Sequence, residues 1–207
     1  MTTCIAREQI RASEEAWPIP GWDIDRHSER KWILDFAKPC GVGAEIGVFR
    51  GCFTEVICAT IKPRKLYLID PWRLQGEKFG WGKEYTAFGE LRTEAALQET
   101  QLRASLYPDT QSVIIEGWFP ICSTQITDTL DWAYLDASHS REDVLRDLEH
   151  LAPLIREDGV ILGDDWMTNP EAVHHVVFRA VHEFIERGEW ELIRAGRGAQ
   201  WAIRRRL

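Results

Sequence analysis

The chain lacks the sequence features of several protein classes. Its five cysteines are odd in number and include no Cys-x-x-Cys pair, which argues against a disulfide framework and against a zinc site. The N-terminus carries charges throughout, so we expect no secretory signal peptide, and no apolar run approaches the length of a membrane span. Reduced thiols and the absence of targeting signals together predict a cytoplasmic protein without a membrane partner.

Basic residues are also in the minority. The 207 residues contain 33 Asp and Glu against 25 Lys and Arg, which gives a net charge of -8. Affinity for nucleic acids comes largely from Lys and Arg that neutralise phosphates, so this balance argues against a nucleic-acid partner. The length and the 44% hydrophobic content suit one domain with a proper core and at most a small appendage.

Strand-like and helix-like segments alternate from Ala44 onward. Short apolar runs predict parallel strands at 44–48, 65–70, 112–116, 132–136 and 160–163. Residues 173–185 then predict an amphipathic helix, with Pro170 in its first turn and Gly188 just past its end. Strands at 191–193 and 200–204, with glycines between them, predict a closing antiparallel hairpin. This order predicts an α/β fold with a mostly parallel sheet and helices on both faces.

Two regions depart from this alternation. Residues 1–40 are predicted to form an N-terminal helical cap, with another helix beginning near Ser28, ahead of a domain that spans 41–207. Residues 75–107 open with a glycine- and aromatic-containing loop and continue as a helix. A long insertion of this kind is a candidate lid or substrate loop. Three of the ten tryptophans are predicted to contact the substrate: Trp72, Trp81 and Trp166.

Two acidic clusters follow neighbouring predicted strands. Asp136 and His139 come at the end of the fourth strand, and Asp164 and Asp165 at the end of the fifth. The carboxyl ends of parallel strands meet at one edge of the sheet, where open α/β sheets bind their ligands. Three carboxylates can hold a hard cation such as Mg²⁺, and a histidine beside them can accept a proton. The clusters therefore predict chemistry on a hydroxyl group.

A glycine-containing turn, EIGVFRG at 45–51, follows the first predicted strand. It departs from the GxGxxG pattern of dinucleotide-binding proteins, which disfavours an NAD enzyme. Gly47 and Gly51 would let the backbone approach a ligand, Glu45 would face an ammonium group, and Asp70 would bind both hydroxyls of a ribose. These groups describe a nucleoside with an amino-acid tail, which is S-adenosyl-L-methionine. Further residues are predicted to bind this cofactor: Thr54, Gly117, Trp118 (by stacking on adenine) and Asp136.

A family resemblance is carried by four segments, AEIGVFRGCFT, LYLIDPW, LDASHSREDVLRDLEHLAPLIREDGVILGDDW and QWAIR. They resemble the class I S-adenosylmethionine-dependent methyltransferases, and most of all the small metal-dependent O-methyltransferase-like family that includes sugar and macrolide O-methyltransferases. The resemblance implies a Rossmann-like, seven-stranded sheet whose last strand inserts antiparallel. It also implies Mg²⁺ at Asp136, Asp164 and Asp165, His139 as general base, and a small hydroxylated acceptor such as a sugar or a natural-product intermediate.

Other interpretations stay open at this point. Asp136 and Asp164 would only bind the acceptor in a metal-independent methyltransferase. A non-catalytic nucleoside-binding or partner-binding domain is a third reading, although retention of three carboxylates and His139 argues against it. The cap and lid segments match no known pattern, so the acceptor cannot be inferred from the resemblance. The oligomeric state is also open, and a homodimer is compatible with the sequence.

Overall fold

The protein is built around a seven-stranded sheet. The computed structural model describes residues 3–18, 27, 29–80 and 90–206. The strands are β1 Val42–Ile46, β2 Lys65–Asp70, β3 Gln111–Glu116, β4 Leu130–Leu135, β5 Ile155–Gly163, β6 Trp190–Gly196 and β7 Gln200–Arg205. They lie in the order β3-β2-β1-β4-β5-β7-β6, in which β1 to β5 are parallel and β7 is antiparallel to both neighbours. The predicted parallel sheet with an inserted last strand is confirmed.

Helices cover both faces of the sheet. They are α1 Thr3–Ala16, α2 Cys52–Ile61, α3 Thr93–Ser105, α4 Arg141–Leu151 and α5 His175–Glu186, with a 3-10 helix at Lys31–Phe36. Alternate residues of a strand point to opposite faces. In β2, Tyr67 and Ile69 pack into the core beneath α4 and α5, while Leu66 and Leu68 pack into the core beneath α2 and α3. No helix in the described ranges is long and apolar enough to cross a membrane.

Several element boundaries differ from those predicted. Strand β1 ends at Ile46, because Gly47 (φ 86°) and Phe49 (φ 56°) turn the chain out of the extended conformation. Helix α5 begins at His175, so Pro170 is not in its first turn as predicted. Gly188 (φ 99°) follows the end of that helix as predicted. Glu29 and Arg30 are helical, whereas Ser28 itself lies outside the described residues.

The segment 75–107, predicted as a lid, contains a core helix. Strands β2 and β3 are parallel neighbours, and parallel neighbours need a crossover connection. Helix α3 provides that crossover, and its Ala96 and Leu97 are buried in the core. Residues 81–89, including Trp81, lie outside the described residues. The division into a cap, a lid and a main domain stays a prediction.

Two glycines allow tryptophan rings to lie across the sheet. Gly43 in β1 is paired in register with Trp132 in β4, and Gly163 in β5 with Trp201 in β7. A Cβ atom at Gly43 would lie 2.1 Å from the Trp132 ring, and one at Gly163 would lie 2.2 Å from the Trp201 ring. Both indoles are fully buried. The missing side chains are therefore part of the packing that fills the core.

Replacing Gly43 by alanine should test this packing. Since the added methyl must push the Trp132 ring out of a close-packed core, Gly43→Ala is expected to lower the free energy of unfolding by about 1–3 kcal/mol. The measurement is urea denaturation. Gly80→Ala is the control, because a Cβ there meets no atom of the described residues within 4 Å. Equal stability of the two variants would show that the pairing is not a packing constraint.

Candidate active site

The turn after β1 lies close against the end of β4. A Cβ atom on Gly47 would lie 1.7 Å from the backbone oxygen of Asp136, so only glycine fits there without a shift of the backbone. The backbone amide of Asp136 donates to the Ile46 oxygen at 2.8 Å. Gly51 (φ 73°) precedes the first residue of α2 and rests against Thr100 of α3. The predicted cofactor loop and the first acidic cluster are thus in direct contact.

Asp70 braces the turn from the neighbouring strand. Its Oδ2 accepts hydrogen bonds from the backbone amides of Val48 (3.0 Å) and Phe49 (2.9 Å), and its Oδ1 accepts one from Trp72 (3.0 Å). Burial raises the pKa of the Asp70 carboxyl, and the three amides partly offset that effect. Each carboxylate oxygen can accept two hydrogen bonds, so Oδ1 keeps capacity for a further donor.

Glu45 is buried inside β1. Its Oε2 accepts a hydrogen bond from the Thr54 hydroxyl of α2 at 2.5 Å. Burial raises its pKa to about 8; the Thr54 hydrogen bond opposes this, and the charges of Asp136 and Asp70 add to it. A buried carboxyl of this kind stays protonated near neutral pH until a cation approaches it.

The acidic residues converge at the ends of β4 and β5. Leu135 and Gly163 are paired in register, so Asp136 and Asp164 follow at the same level of the sheet. Asp165 adopts a left-handed backbone (φ 63°), which an aspartate tolerates better than most residues. Asp136, Asp164 and Asp165 each present a carboxylate oxygen, and these oxygens lie within 4.8 Å of one another. Both predicted clusters therefore form one site.

His139 closes this site on the side of α4. Its Nε2 lies 2.7 Å from Asp165 Oδ2 and 3.9 Å from Asp136 Oδ1. Burial lowers the pKa of His139, but its hydrogen bond to Asp165 and the negative charges of Asp165 and Asp136 outweigh burial and raise it to about 10. Burial likewise raises the pKa of Asp136, yet His139 and Arg30 hold it down at about 2.

Three residues of this site were not identified from the sequence. Arg30 extends between the carboxylates: its Nη1 lies 3.3 Å from Asp136 Oδ2, and its Nη2 pairs with Asp164 Oδ2. The Gln200 amide donates to Asp164 Oδ1 at 2.5 Å. The ring of His174 lies 4.2 Å from that of His139, between centroids. An isolated arginine in a polar segment carries no sequence signal for such a contact.

The donor set suits a hard cation. Carboxylate oxygens are the ligands that Mg²⁺ prefers, and three of them face one another here. A cavity beside them, lined in part by Asp136, His139 and Asp165, has a volume of about 10 Å³, which is room for roughly one water. A cavity of this size is too small for an acceptor, which would have to bind from the outer side of the site.

The predicted tryptophan contacts have different outcomes. Trp72 is fully buried and donates from Nε1 to the Phe49 oxygen at 2.8 Å, so its prediction as a substrate contact is corrected: the ring packs in the core. Trp166 follows Asp165 directly, is half-buried, and packs against Phe178 and His182 of α5.

The loop after β3 contains the predicted adenine contact. Trp118 is 49% exposed, which leaves a ring face available to a ligand. Gly117 is required by packing, because a Cβ there would lie 2.6 Å from Cys122 Cβ. The adenine contact of Trp118 and the acceptor contact of Trp166 stay predictions, as do the cofactor contacts of Gly117 and Thr54.

Comparisons with known proteins agree with this geometry. A family model described as a methyltransferase domain matches residues 44–166, more than half of the chain. No curated protein matches significantly. Among solved structures, the chain is similar to a protein from Corynebacterium glutamicum (15% identity, 99% of this chain and 89% of that one, TM-score 0.62). It is also similar to the O-methyltransferase NovP (20% identity, 89% and 81%, TM-score 0.60) and to cofactor-bound Rv0187 from MTB (15% identity, 97% and 87%, TM-score 0.57).

At these identities the likeness to solved structures establishes the fold alone. The family match covers the glycine turn, Asp70, the first acidic cluster and Asp164-Asp165, which are the elements that the sequence and the geometry single out. The chain therefore belongs to the methyltransferase-domain family and is a class I S-adenosylmethionine-dependent methyltransferase.

Proposed function

We propose that this enzyme transfers the methyl group of S-adenosyl-L-methionine to a hydroxyl of a small molecule, such as a sugar or a natural-product intermediate, and that it does so with Mg²⁺. One observation carries the proposal: the contact between Gly47 and the backbone of Asp136 joins the cofactor turn to a cluster of three carboxylates and a histidine. A donor site and a site able to activate a hydroxyl are thereby adjacent.

The cofactor half uses groups that are already held in place. Glu45 would face the ammonium of the methionine moiety, and Asp70 would accept from the ribose with its remaining lone pairs. Gly47 and Gly51 let the turn adopt positive φ angles and lie close against Asp136 and Thr100, and the exposed ring of Trp118 would stack on adenine. Binding in a preformed site positions the sulfonium methyl for attack, and positioning contributes much of the acceleration of such reactions.

The acceptor half would supply the proton transfer. His139 Nε2 would take the proton of the acceptor hydroxyl as the new O–CH₃ bond forms and the C–S bond breaks, with S-adenosylhomocysteine as the leaving group. Asp136, Asp164 and Asp165 would hold the cation, which when bound stabilises negative charge on the hydroxyl oxygen. The charges of Asp136 and Asp165 hold the pKa of His139 high, and compensation of these charges by a bound cation would favour the neutral ring, whose Nε2 can accept a proton.

The N-terminal segment would help to choose the acceptor. Residues 1–40 lie outside the family match at 44–166, and Arg30 in that segment contacts Asp136 and Asp164. The insertion 75–107 stays a candidate substrate loop. The net charge of -8 supports a partner other than nucleic acid. We also propose a cytoplasmic location for the enzyme.

Calorimetric titration with S-adenosylhomocysteine tests the donor half. We expect one site per chain. In a separate assay with S-adenosyl-L-methionine as donor, we expect methyl transfer to a polyhydroxylated acceptor that EDTA abolishes and Mg²⁺ restores. Absence of binding with and without Mg²⁺ would contradict the methyltransferase assignment. Transfer that is unaffected by EDTA would support the metal-independent enzyme instead.

His139→Gln tests the acceptor half. Removal of a general base is expected to lower the rate of methyl transfer by about 10²–10⁴-fold, while the affinity for S-adenosylhomocysteine changes less than a few-fold. His150→Gln is the matched control, since His150 is exposed on α4 and bonds only the Arg146 carbonyl. A His139 variant that retains full turnover would exclude the base role.

Glu45→Gln tests the ammonium contact. With a pKa of about 8, Glu45 is protonated in most unliganded molecules at pH 7, and an approaching ammonium favours its ionised form. Binding of S-adenosylhomocysteine at pH 7 should therefore release a proton from Glu45, measured by calorimetry in two buffers of different ionisation enthalpy. Release should vanish in Glu45→Gln and persist in the exposed control Glu157→Gln. Equal release from all three proteins would refute the contact.

A further inference from the structure

We propose that Arg30 is the resident counter-ion of the carboxylate cluster and that a divalent cation binds only by displacing it. Arg30 would then set the cation affinity of the site and couple cation binding to the seating of the N-terminal segment. This inference rests on the cation site of the proposed function and concerns its regulation. It makes Arg30 a positioning residue, because it acts on Asp136 and Asp164 rather than on the acceptor.

The contacts of Arg30 place it where the cation would bind. Its guanidinium is buried, with 6% of the residue exposed, and it bridges Asp136 at the end of β4 to Asp164 at the end of β5. These are two of the three carboxylates in the candidate cation set. Gln200 already donates to the other oxygen of Asp164. A cation that bridges the two strands through these Oδ2 atoms therefore competes with Arg30 for them.

Contact distance, rather than total charge, opposes simultaneous occupancy. Arg30 and a protonated His139 together offset at most two of the negative charges that the three carboxylates can carry, so the site attracts a cation. The buried guanidinium already fills the space against the Oδ2 atoms of Asp136 and Asp164, and an ion on those atoms would touch a group that stays protonated and repels it. The guanidinium must therefore move away from these atoms as the ion enters.

Arg30 is attached to a segment that has its own anchors. The 3-10 helix that follows it buries Ile33 and Leu34. On the other side, Glu29 pairs with Arg197 at 3.2 Å, and Trp32 Nε1 donates to the Arg197 oxygen at 2.9 Å. The same turn between β6 and β7 leads into Gln200. Release of Arg30 should thus loosen Glu29 and Arg30 locally, while Ile33 and Leu34 keep the segment attached to the core.

A second candidate cation set makes the proposal selective. His139, Asp165 and His174 also present ligand atoms within 4.8 Å of one another, and Arg30 is not among their partners. An ion held by those three residues would leave Arg30 in place. The effect of Arg30 on cation affinity therefore distinguishes the two sets.

The test compares Mn²⁺ affinity of the full-length wild type, Arg30→Gln and Lys31→Gln by calorimetry. Lys31→Gln removes the same charge from an exposed adjacent position. We expect Arg30→Gln to bind Mn²⁺ at least about 10-fold more tightly than wild type, and Lys31→Gln to stay within about 3-fold, as screened surface charges do. Equal or weaker binding by Arg30→Gln, or no binding by any of the proteins, would overturn the proposal.

Hydrogen exchange provides a readout that is independent of the substitution. In wild type, saturating Mn²⁺ should speed amide exchange at residues 29–30 and leave residues 33–34 protected. Unchanged exchange at 29–30 with Mn²⁺ bound would place the ion at His139, Asp165 and His174 and contradict displacement. Should Arg30→Gln not fold, as judged by circular dichroism, Arg30→Lys replaces it, because an ammonium cannot bridge two carboxylates in the same way. Its Mn²⁺ affinity should lie above that of wild type.

Failure of this inference is separable from failure of the proposed function. Tighter Mn²⁺ binding by Arg30→Gln without methyl transfer to any acceptor would support displacement and count against the transferase chemistry. Mg²⁺-dependent methyl transfer, together with an unchanged Mn²⁺ affinity of Arg30→Gln, would support the transferase chemistry and count against displacement.

Discussion

The burial of carboxylates at one edge of the sheet is the constraint on which the rest of the site depends. Parallel register aligns the ends of β1, β2, β4 and β5 and gathers five acidic side chains there: Glu45, Asp70, Asp136, Asp164 and Asp165. Buried charges are tolerated only when they are paired, hydrogen-bonded or neutralised by protonation. All three kinds of stabilisation occur among these five residues. The kind found at each carboxylate indicates which ligand group that carboxylate is able to bind.

The buried carboxylates are stabilised in different ways in the cofactor half and the acceptor half of the site. On the cofactor side, burial raises the pKa of Glu45 to about 8 and favours its protonated form, and Asp70 accepts hydrogen bonds from backbone amides of the turn that it braces. No cationic side chain has to move for an ammonium or a hydroxyl to reach these two groups. On the acceptor side, the carboxylates are paired with the side chains of Arg30 and His139. Under the proposed displacement of Arg30, the acceptor half would exchange partners before it works.

Local patterns explain which parts of this were predictable. Strand and helix periodicity predicted the sheet and its closing hairpin, because side-chain alternation and turn glycines act over a few residues. The acidic clusters were correctly expected at strand ends, and the glycine turn lies where it was predicted. The errors have equally local causes. Pro170 was taken as a first-turn residue, although the chain passes through turns before α5 begins. Trp72 was taken as a pocket residue because it follows a strand, but its ring turns inward and bonds the Phe49 carbonyl.

The sequence by itself determined the order of strands and helices, the turn at Gly47, and the placement of carboxylates at the ends of two neighbouring strands. These features depend on short-range backbone preferences and on hydrophobic periodicity. Both can be recognised from a few consecutive residues. Only the tertiary structure decided that Arg30, more than one hundred positions from Asp136, would pair with it, that Gln200 would hold Asp164, and that His174 would lie beside His139. Packing of distant elements brings these partners together, and the burial of the carboxylates requires that their charges be compensated. Neither cause can be recognised from a short stretch of the sequence.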